Sequence, residues 1–146
     1  MIRLLLLLLS SFAFTQSSLI DYSHPYHSTY TQSGIVVSQN YLSSDIGVEI
    51  LNKGGNAVDA AIAVGFSLTA TLPRAGNIGG GGFMQVYIAE DKTILTIDFR
   101  SMAPGLATRQ FYRNAIKEDD DVTRKGFKAI AVPGTVAGLF KAHELY

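Results

Sequence analysis

Arg100 is the residue whose type and position are best suited to ligand chemistry. It closes the triplet DFR (98–100), which ends a predicted strand. A guanidinium can bind a carboxylate through two parallel hydrogen bonds, and these fix the orientation of the bound group as well as attracting its charge. Asp98 lies two positions earlier on the same strand face, so a structural ion pair between the two side chains is the competing interpretation. The residue types alone favour this ion pair without excluding the ligand role.

The segment 76–82, with the sequence GNIGGGG, is the densest cluster of glycines in the chain. Phosphate-binding fingerprints need a strand, then the glycine loop, then a helix, and here the predicted order is helix, loop, strand. No lysine followed by serine or threonine comes after the glycines, which excludes a Walker-type nucleotide site. The segment is therefore either a tight loop that lets a strand start against a packed neighbour or a loop whose backbone faces a substrate.

Other residues that could do chemistry lack the partners they would need. No serine lies in a G-x-S-x-G elbow, and a Ser-His-Asp triad would depend on His143. We predict that Thr135, after Pro-Gly, caps a helix and is not a nucleophile, and that the acidic residues 119–121 form a solvated loop. The pair His24 and His27 has too few neighbouring ligands for a metal site. We expect neither a metal nor a cofactor.

Composition excludes several functional classes. The 146 residues are 47% hydrophobic and 16% charged, which is typical of a folded domain and unlike a disordered chain. Twelve basic and twelve acidic side chains give a formal net charge of zero, so we expect no nucleic-acid partner. Because the chain has no cysteine, disulfides, thiolate metal sites and cysteine nucleophiles are excluded.

The N-terminus has the pattern of a secretory signal peptide. Arg3 precedes an apolar run from Leu4 through Phe14, which is about half of the ~20 residues that a membrane-spanning helix needs. We predict a signal peptide at 1–16 and a flexible Ser-, Thr-, Tyr- and His-rich tether at 17–33. The protein is thus expected to be exported to the periplasm or the extracellular space, with a membrane anchor facing outside as the alternative.

Hydrophobic periodicity and turn residues predict an alternation of helices and strands over residues 34–146. The predicted elements are, in chain order, a strand at 34–38, a helix from a cap at Ser43 or Ser44 to about Lys53, a helix from Asn56 to Pro73, a hairpin of strands at 83–89 and 93–99, a helix at 108–117, a strand at 129–132 and a helix from Thr135. We predict that Gly54 and Gly55 end the first helix in a left-handed conformation and that Asn56 caps the second. In the second hairpin strand the apolar residues alternate with polar ones, so Arg100 should leave on the more polar face. The last helix has no stop signal before Tyr146, from which we expect that the intact gene continues further.

Five motifs, in this order, carry a resemblance to a known family. They are GGNAVDAA (54–61), AGNIGGGGF (75–83), DFR (98–100), AP (103–104) and VPGTVAG (132–138). Together they resemble the N-terminal part of the γ-glutamyltransferase (glutathione hydrolase) large subunit, over about residues 34–146. The resemblance implies an α+β fold, the αββα sandwich of N-terminal-nucleophile hydrolases, of which only the N-terminal portion is present. It also implies a precursor that cuts itself into a large and a small subunit.

The resemblance further implies a division of roles between the two subunits. The N-terminal threonine of the small subunit attacks the γ-glutamyl amide of glutathione, and the acyl group then passes to water, an amino acid or a peptide. This chain would contain no catalytic residue, and Arg100, the arginine of the DFR motif, would bind the α-carboxylate of the γ-glutamyl group. Two alternatives stay open: a cephalosporin (glutaryl) acylase of the same fold, and a non-catalytic exported binding fragment.

Overall fold

The computed structural model describes residues 30–146. The first two helices in this range are joined by a glycine turn. Helix α1 spans Tyr41–Asn52 and helix α2 spans Ala57–Thr71. Between them Gly54 has a φ of +91°, and the N–H groups of Gly54 and Gly55 donate to carbonyls in the last turn of α1. This left-handed turn is the common way to end a helix, and it confirms the role predicted for the two glycines.

Helix α2 begins with the predicted cap. The Asn56 side chain accepts hydrogen bonds from the N–H groups of Val58 and Asp59, and the Asp59 carboxylate accepts one from the Asn56 N–H. Such a reciprocal capping box satisfies N–H groups that the helix itself leaves without acceptors. The helix ends at Thr71, with Leu72 as its C-cap, because Pro73 cannot continue the pattern.

The cap predicted for α1 at Ser43 or Ser44 is wrong. The Asn40 side chain caps this helix instead and accepts a hydrogen bond from the Leu42 N–H at 3.0 Å. Ser43 is fully buried against α2, where its hydroxyl forms 2.8 Å hydrogen bonds with the hydroxyls of Ser67 and Thr71. Ser43 therefore joins two helices, and the helix starts one turn earlier than expected.

The predicted hairpin is confirmed, with each strand one residue shorter than expected. Strand β1 spans Phe83–Ile88 and pairs antiparallel with strand β2, Thr93–Asp98. In the connection Lys92 has a φ of +53°. Successive side chains point to opposite faces, and the inner face packs into the main core cluster. That cluster contains the buried residues Val58, Val86 and Ala142 and the partly buried residues Ile62, Met84, Ile88, Ile97 and Tyr146.

Helix α3 spans Arg109–Glu118 and begins at the predicted place. The Thr108 side chain caps it by accepting a hydrogen bond from the Phe111 N–H. In the acidic segment that follows, Asp121 is half-buried and forms ion pairs with Arg124 and Lys125, so it is less solvated than predicted.

The strand predicted at 129–132 is wrong. A single turn of 3₁₀-helix occupies Phe127–Ala129, and Val132 forms one isolated antiparallel bridge with Met102. The apolar residues are β-like in type, but the segment is too short, between the 3₁₀ turn and Pro133, for a longer ladder to form.

Helix α4 spans Thr135–Leu145 and covers the inner face of the hairpin together with α2. Leu139 is buried against α2 at Gly65, where an added Cβ would come within 3.1 Å of the leucine side chain. Ala142, one turn later, is fully buried in the core cluster. Small residues thus let α4 approach both α2 and the sheet closely.

The strand predicted at 34–38 is wrong as well. The segment pairs with no strand within residues 30–146, and its apolar side chains Ile35 and Val37 are 58% and 81% exposed. Val36 instead packs over Gly47 of α1, where an added Cβ would lie 2.7 Å from the valine side chain. Strand formation requires a hydrogen-bonding partner, which β-branched residues alone do not supply.

The predicted α+β class is confirmed, with four α-helices and one two-stranded sheet in residues 30–146. Residues Thr31–Tyr146 form one compact unit. None of the helices in the described range is both long and apolar enough to cross a bilayer. The predicted signal peptide at 1–16 and most of the predicted tether lie outside the described residues, as do His24 and His27.

Candidate functional site

Arg100 lies two residues beyond the end of β2, and its side chain is exposed. Its backbone N–H donates to the Asp98 carboxylate, with 2.9 Å between the nitrogen and Oδ1. Within residues 30–146 no carboxylate lies within 4.0 Å of the Arg100 guanidinium. The ion pair that competed with a ligand role is therefore not formed, because Asp98 contacts the backbone of Arg100 and not its charge.

Two glycines flank the backbone on either side of Arg100. At Gly81, an added Cβ would lie 2.3 Å from the Ser101 nitrogen and 2.6 Å from the Phe99 oxygen. At Gly134, an added Cβ would lie 2.1 Å from the same Phe99 oxygen. These distances are far below van der Waals contact, so any side chain at either position would displace the strand end. The backbone that carries Arg100 is thus held between two segments from different parts of the chain.

The ring of Phe99 fixes the strand end to helix α4. An added Cβ at Gly138 would lie 2.0 Å from Phe99 Cγ, and one at Gly82 would lie 2.9 Å from Phe99 Cε2. Gly82 and Phe99 also exchange two backbone hydrogen bonds, of 3.0 and 3.3 Å, which extend the hairpin ladder by one pair. The preceding residue of the DFR motif, Asp98, and the following residue, Arg100, are consequently held in one register relative to α4.

The glycine loop is tied to the first turn of α4. The Gly80 carbonyl accepts hydrogen bonds from the N–H groups of Gly134 and Thr135, at 2.8 and 3.2 Å. The Thr135 hydroxyl donates to the Asn77 carbonyl at 3.0 Å. The prediction that Thr135 caps α4 is therefore wrong: Gly134 is the N-cap residue, and no side chain within residues 30–146 caps this helix. Close packing against the strand end explains why the loop needs glycine, as one of the two sequence interpretations expected.

A cavity of about 320 Å³ lies beside Arg100, between the strand end and α4. Lys141 also lines it, which the sequence analysis missed. Its position could have indicated this, because Lys141 comes three residues after Gly138 and both residues therefore lie on one face of the helix. The Lys141 ammonium lies 3.6 Å from the Glu144 carboxylate, so part of its charge is already compensated. Arg100 is accordingly the better cation for an added carboxylate.

Comparison with known proteins shows to which family the chain belongs. A family profile described as Gamma-glutamyltranspeptidase matches residues 43–146. The chain belongs to the γ-glutamyltranspeptidase family. Among its relatives in that family, the glutathione hydrolase proenzyme of Pseudomonas sp. (strain A14) is 44% identical over 119 residues, which cover 79% of this chain and 20% of the relative. The glutathione hydrolase proenzyme of Escherichia coli (strain K12) is 43% identical over 122 residues, covering 83% and 21%. The chain thus spans about a fifth of the length of these relatives.

Solved γ-glutamyltranspeptidase structures share the fold. The enzyme from Pseudomonas nitroreducens complexed with L-DON superposes with a TM-score of 0.71 at 44% identity, covering 80% of this chain and 35% of that one. Helicobacter pylori γ-glutamyltranspeptidase gives 0.72 at 38% identity, covering 82% and 34%. The Bacillus anthracis transpeptidase CapD is more distant, with a TM-score of 0.59 at 31% identity over 80% of this chain and 33% of that one. These likenesses confirm the predicted fold, the N-terminal portion of an N-terminal-nucleophile hydrolase.

The remaining residues with side chains suited to catalysis do not line the cavity beside Arg100. His143 Nδ1 lies 3.7 Å from the Asp59 carboxylate, which belongs to the cap of α2. Among residues 30–146 no serine hydroxyl is hydrogen-bonded to His143, so the elements of a Ser-His-Asp triad are not assembled there. The same range contains no group of three or more His, Cys, Asp or Glu residues that could hold a metal ion.

Proposed function

We propose that the protein containing this chain cleaves γ-glutamyl amides such as glutathione and passes the γ-glutamyl group to water, an amino acid or a peptide. Membership of the γ-glutamyltranspeptidase family supports this reaction, as do the glutathione hydrolase names of its relatives. The observation that carries the proposal is Arg100, an exposed guanidinium on a rigid strand end with no ion-pair partner among the described residues.

Arg100 would bind the α-carboxylate of the γ-glutamyl group. The planar guanidinium and a carboxylate can form two parallel hydrogen bonds, which set both the distance and the orientation of the bound head group. The backbone of Arg100 is held closely by its neighbours at Gly81 and Gly134. This is important because a catalytic site needs its substrate placed to within a fraction of an ångström. The amide carbonyl carbon, four carbon–carbon bonds away from the α-carboxylate carbon, would then lie at a limited distance from the strand end.

The attacking hydroxyl would come from the N-terminal threonine of a small subunit, on polypeptide outside the printed sequence. The threonine α-amine would take the hydroxyl proton as oxygen attacks the γ-carbonyl carbon, and the amine of the leaving group would accept a proton as the amide bond breaks. Water or an acceptor amine would release the acyl group in the same manner. This chain would contribute substrate binding, and we assign no catalytic residue to it.

Exposed apolar side chains on the outer face of the hairpin support the proposal that another polypeptide covers this face. Phe83, Tyr87 and Ile94 lie on this face and are 64%, 61% and 68% exposed. Neighbouring large apolar side chains on a sheet are commonly covered by another part of the molecule. We propose that the remainder of the precursor, including its small subunit, packs on this face. Export through the signal peptide at 1–16 to the periplasm or beyond completes the proposal.

The decisive experiment measures γ-glutamyl anilide turnover by the full-length protein before and after Arg100→Ala. Loss of a charged hydrogen-bonded pair should lower kcat/KM by about 100-fold or more. Arg113→Ala is the matched control, because Arg113 is an exposed arginine on α3 and its loss should leave turnover unchanged. Equal turnover by the Arg100 and Arg113 variants would remove Arg100 from the site.

Donor analogues distinguish the alternatives. A glutaryl anilide keeps the carboxylate and lacks the α-amine, so faster turnover of this donor than of the γ-glutamyl donor would indicate a glutaryl acylase. A 4-aminobutyryl anilide keeps the amine and lacks the carboxylate, and its turnover should not depend on Arg100. A full-length protein that binds a γ-glutamyl donor but cleaves none of the three anilides would be a binding protein and would contradict the proposed reaction.

A further inference from the structure

We propose that Thr135 is a positioning residue, whose hydroxyl holds the glycine loop against the backbone of Arg100. This inference rests on the proposed function, because it assigns a task within the same carboxylate site. Thr135 does not reach the bound donor in this proposal. It acts through two intermediate contacts, each of which is seen in the structure.

The first contact joins helix α4 to the loop. The Thr135 hydroxyl donates to the Asn77 carbonyl at 3.0 Å, while the Thr135 N–H donates to the Gly80 carbonyl at 3.2 Å. One residue therefore bonds the loop at two carbonyls three positions apart. Because the two bonds hold different carbonyls of the loop, they fix its direction as well as its point of attachment.

The second contact joins the loop to the strand end. Gly81 directly follows the anchored Gly80, and its Cα lies so close to the strand end that an added Cβ would be 2.3 Å from the Ser101 nitrogen and 2.9 Å from the Arg100 carbonyl carbon. Displacement of the loop by a few tenths of an ångström would therefore move the Arg100 backbone or open a gap beside it. The position of Arg100 depends in this way on a hydroxyl it does not touch.

The loop needs such an anchor because of its own composition. Residues 79–82 are four consecutive glycines, which have more accessible backbone conformations than any other residue type. Without outside bonds this segment would populate several conformations, and the placement of Arg100 would become an average over them. The hydroxyl of Thr135 removes part of this freedom by holding the Asn77 carbonyl at one end of the loop.

The test uses the full-length enzyme with Thr135→Val, which keeps the shape of the side chain and removes the hydroxyl, and with Thr135→Ser, which keeps the hydroxyl. Thr135→Val should lower kcat/KM for the γ-glutamyl anilide about fivefold, mainly through KM, whereas Thr135→Ser should stay within about twofold of wild type. Turnover of the 4-aminobutyryl anilide, which has no carboxylate for Arg100, should change by less than about twofold in both variants.

A double variant separates positioning from general stability. In an Arg100→Ala background Thr135→Val should cause no further loss with the γ-glutamyl donor, because the group being positioned is gone. A merely structural role would instead lower turnover of both donors and would persist in that background. Either of those results overturns the inference, as does a Thr135→Ser variant as impaired as Thr135→Val.

A second variant covers the case in which Thr135→Val does not fold. The exposed Asn77 side chain donates to the Pro73 carbonyl at 3.3 Å and anchors the same loop from its other end. Asn77→Ala should produce the same donor-selective loss, and an equal loss for both donors would count against the inference. If Arg100→Ala itself fails to discriminate the two donors, the proposed function fails; if only the Thr135 and Asn77 variants fail to do so, the positioning role alone is lost.

Discussion

The contact between helices α1 and α2 and the contact around Arg100 are both close, but different atoms meet in the two contacts. Between the helices, the fully buried Ser43 hydroxyl bonds the hydroxyls of Ser67 and Thr71 at 2.8 Å each. Around Arg100, closeness comes from the absence of side chains at Gly81 and Gly134. The helix contact therefore depends on hydroxyl groups together with empty space at Gly47, where an added Cβ would lie 2.8 Å from Val64 Cγ2. The site depends on empty space beside backbone atoms.

This difference has a consequence for tolerance to mutation. A missing hydroxyl leaves partners that can find other acceptors, since Thr71 Oγ1 also donates to the Ser67 carbonyl at 3.1 Å. An added methyl group beside Arg100 meets backbone atoms, which cannot rotate away as a side chain can. We therefore expect the site to be the less tolerant of the two regions, and the predictions below test that order.

The largest effect is expected for Gly81→Ala. The new methyl group would lie 2.3 Å from the Ser101 nitrogen, so the strand end must shift to admit it. We expect a loss of about 3 kcal/mol or more in the free energy of unfolding of the full-length protein, measured by denaturant titration. Gly105→Ala is the control, because nothing lies within 4 Å of its added Cβ. Similar stabilities for the two variants would show that the glycine contact is not tight.

A smaller effect is expected for Ser43→Ala at the helix contact. The substitution removes two buried hydrogen bonds while leaving Ser67 and Thr71 partly satisfied, so a loss of about 1–2 kcal/mol is expected by the same denaturant titration. Ser44→Ala is the control, since that half-buried hydroxyl has one side-chain partner, Ser38, at 2.8 Å. A Ser43→Ala variant less stable than Gly81→Ala would reverse the proposed order.

The smallest effect concerns an exposed ion pair on α1, away from both contacts. Lys53 donates a hydrogen bond to Glu49 at 2.6 Å and, by this bond and its charge, lowers the pKa of the Glu49 carboxyl. A lowered pKa in the folded state means that the pair stabilises the protein above the ordinary glutamate pKa and that this contribution is lost as the pH falls through the lowered value. Both side chains are more than 60% exposed, so salt should weaken the pair.

An NMR titration of the Glu49 side chain measures this effect of Lys53 on the pKa. The midpoint should lie below the ordinary glutamate value in the wild type and should return toward it in Lys53→Gln or in high salt. An unchanged midpoint in Lys53→Gln would show that the pair does not form in solution.

The local signals in the sequence predicted those features that residues determine within a few positions. The N-cap at Asn56, the glycine turn after α1 and the hairpin all follow from short-range chemistry, and all are confirmed. The place of Arg100 beyond the end of β2 followed from the predicted strand bounds, 93–99, although the strand ends one residue earlier, at Asp98. The DFR motif thus indicated the candidate site before any tertiary contact was known.

Apart from Asp121, whose ion-pair partners are three and four positions away, the errors involve groups whose partners are distant in sequence. Ser43 and Thr135 have types that suit a cap, yet their hydroxyls bond residues 24 to 58 positions away. The two strands predicted wrongly, at 34–38 and 129–132, have β-like residues, but ladder formation depends on a neighbouring strand that local sequence cannot specify. Lys141 was missed for the same reason, since the cavity it lines exists only after α4 packs on the strand end.

The packing of the Phe99 ring on Gly138 also favours the observed register between β1 and β2. If β2 slipped by a single residue along β1, a charged neighbour of Phe99 would face a helix surface that has room for an aromatic ring, and every side chain of the strand would change face. The chain misaligned by one residue would bury a charge against α4, which costs stability. The bulky ring between Asp98 and Arg100 therefore disfavours a hairpin that is misaligned by one residue.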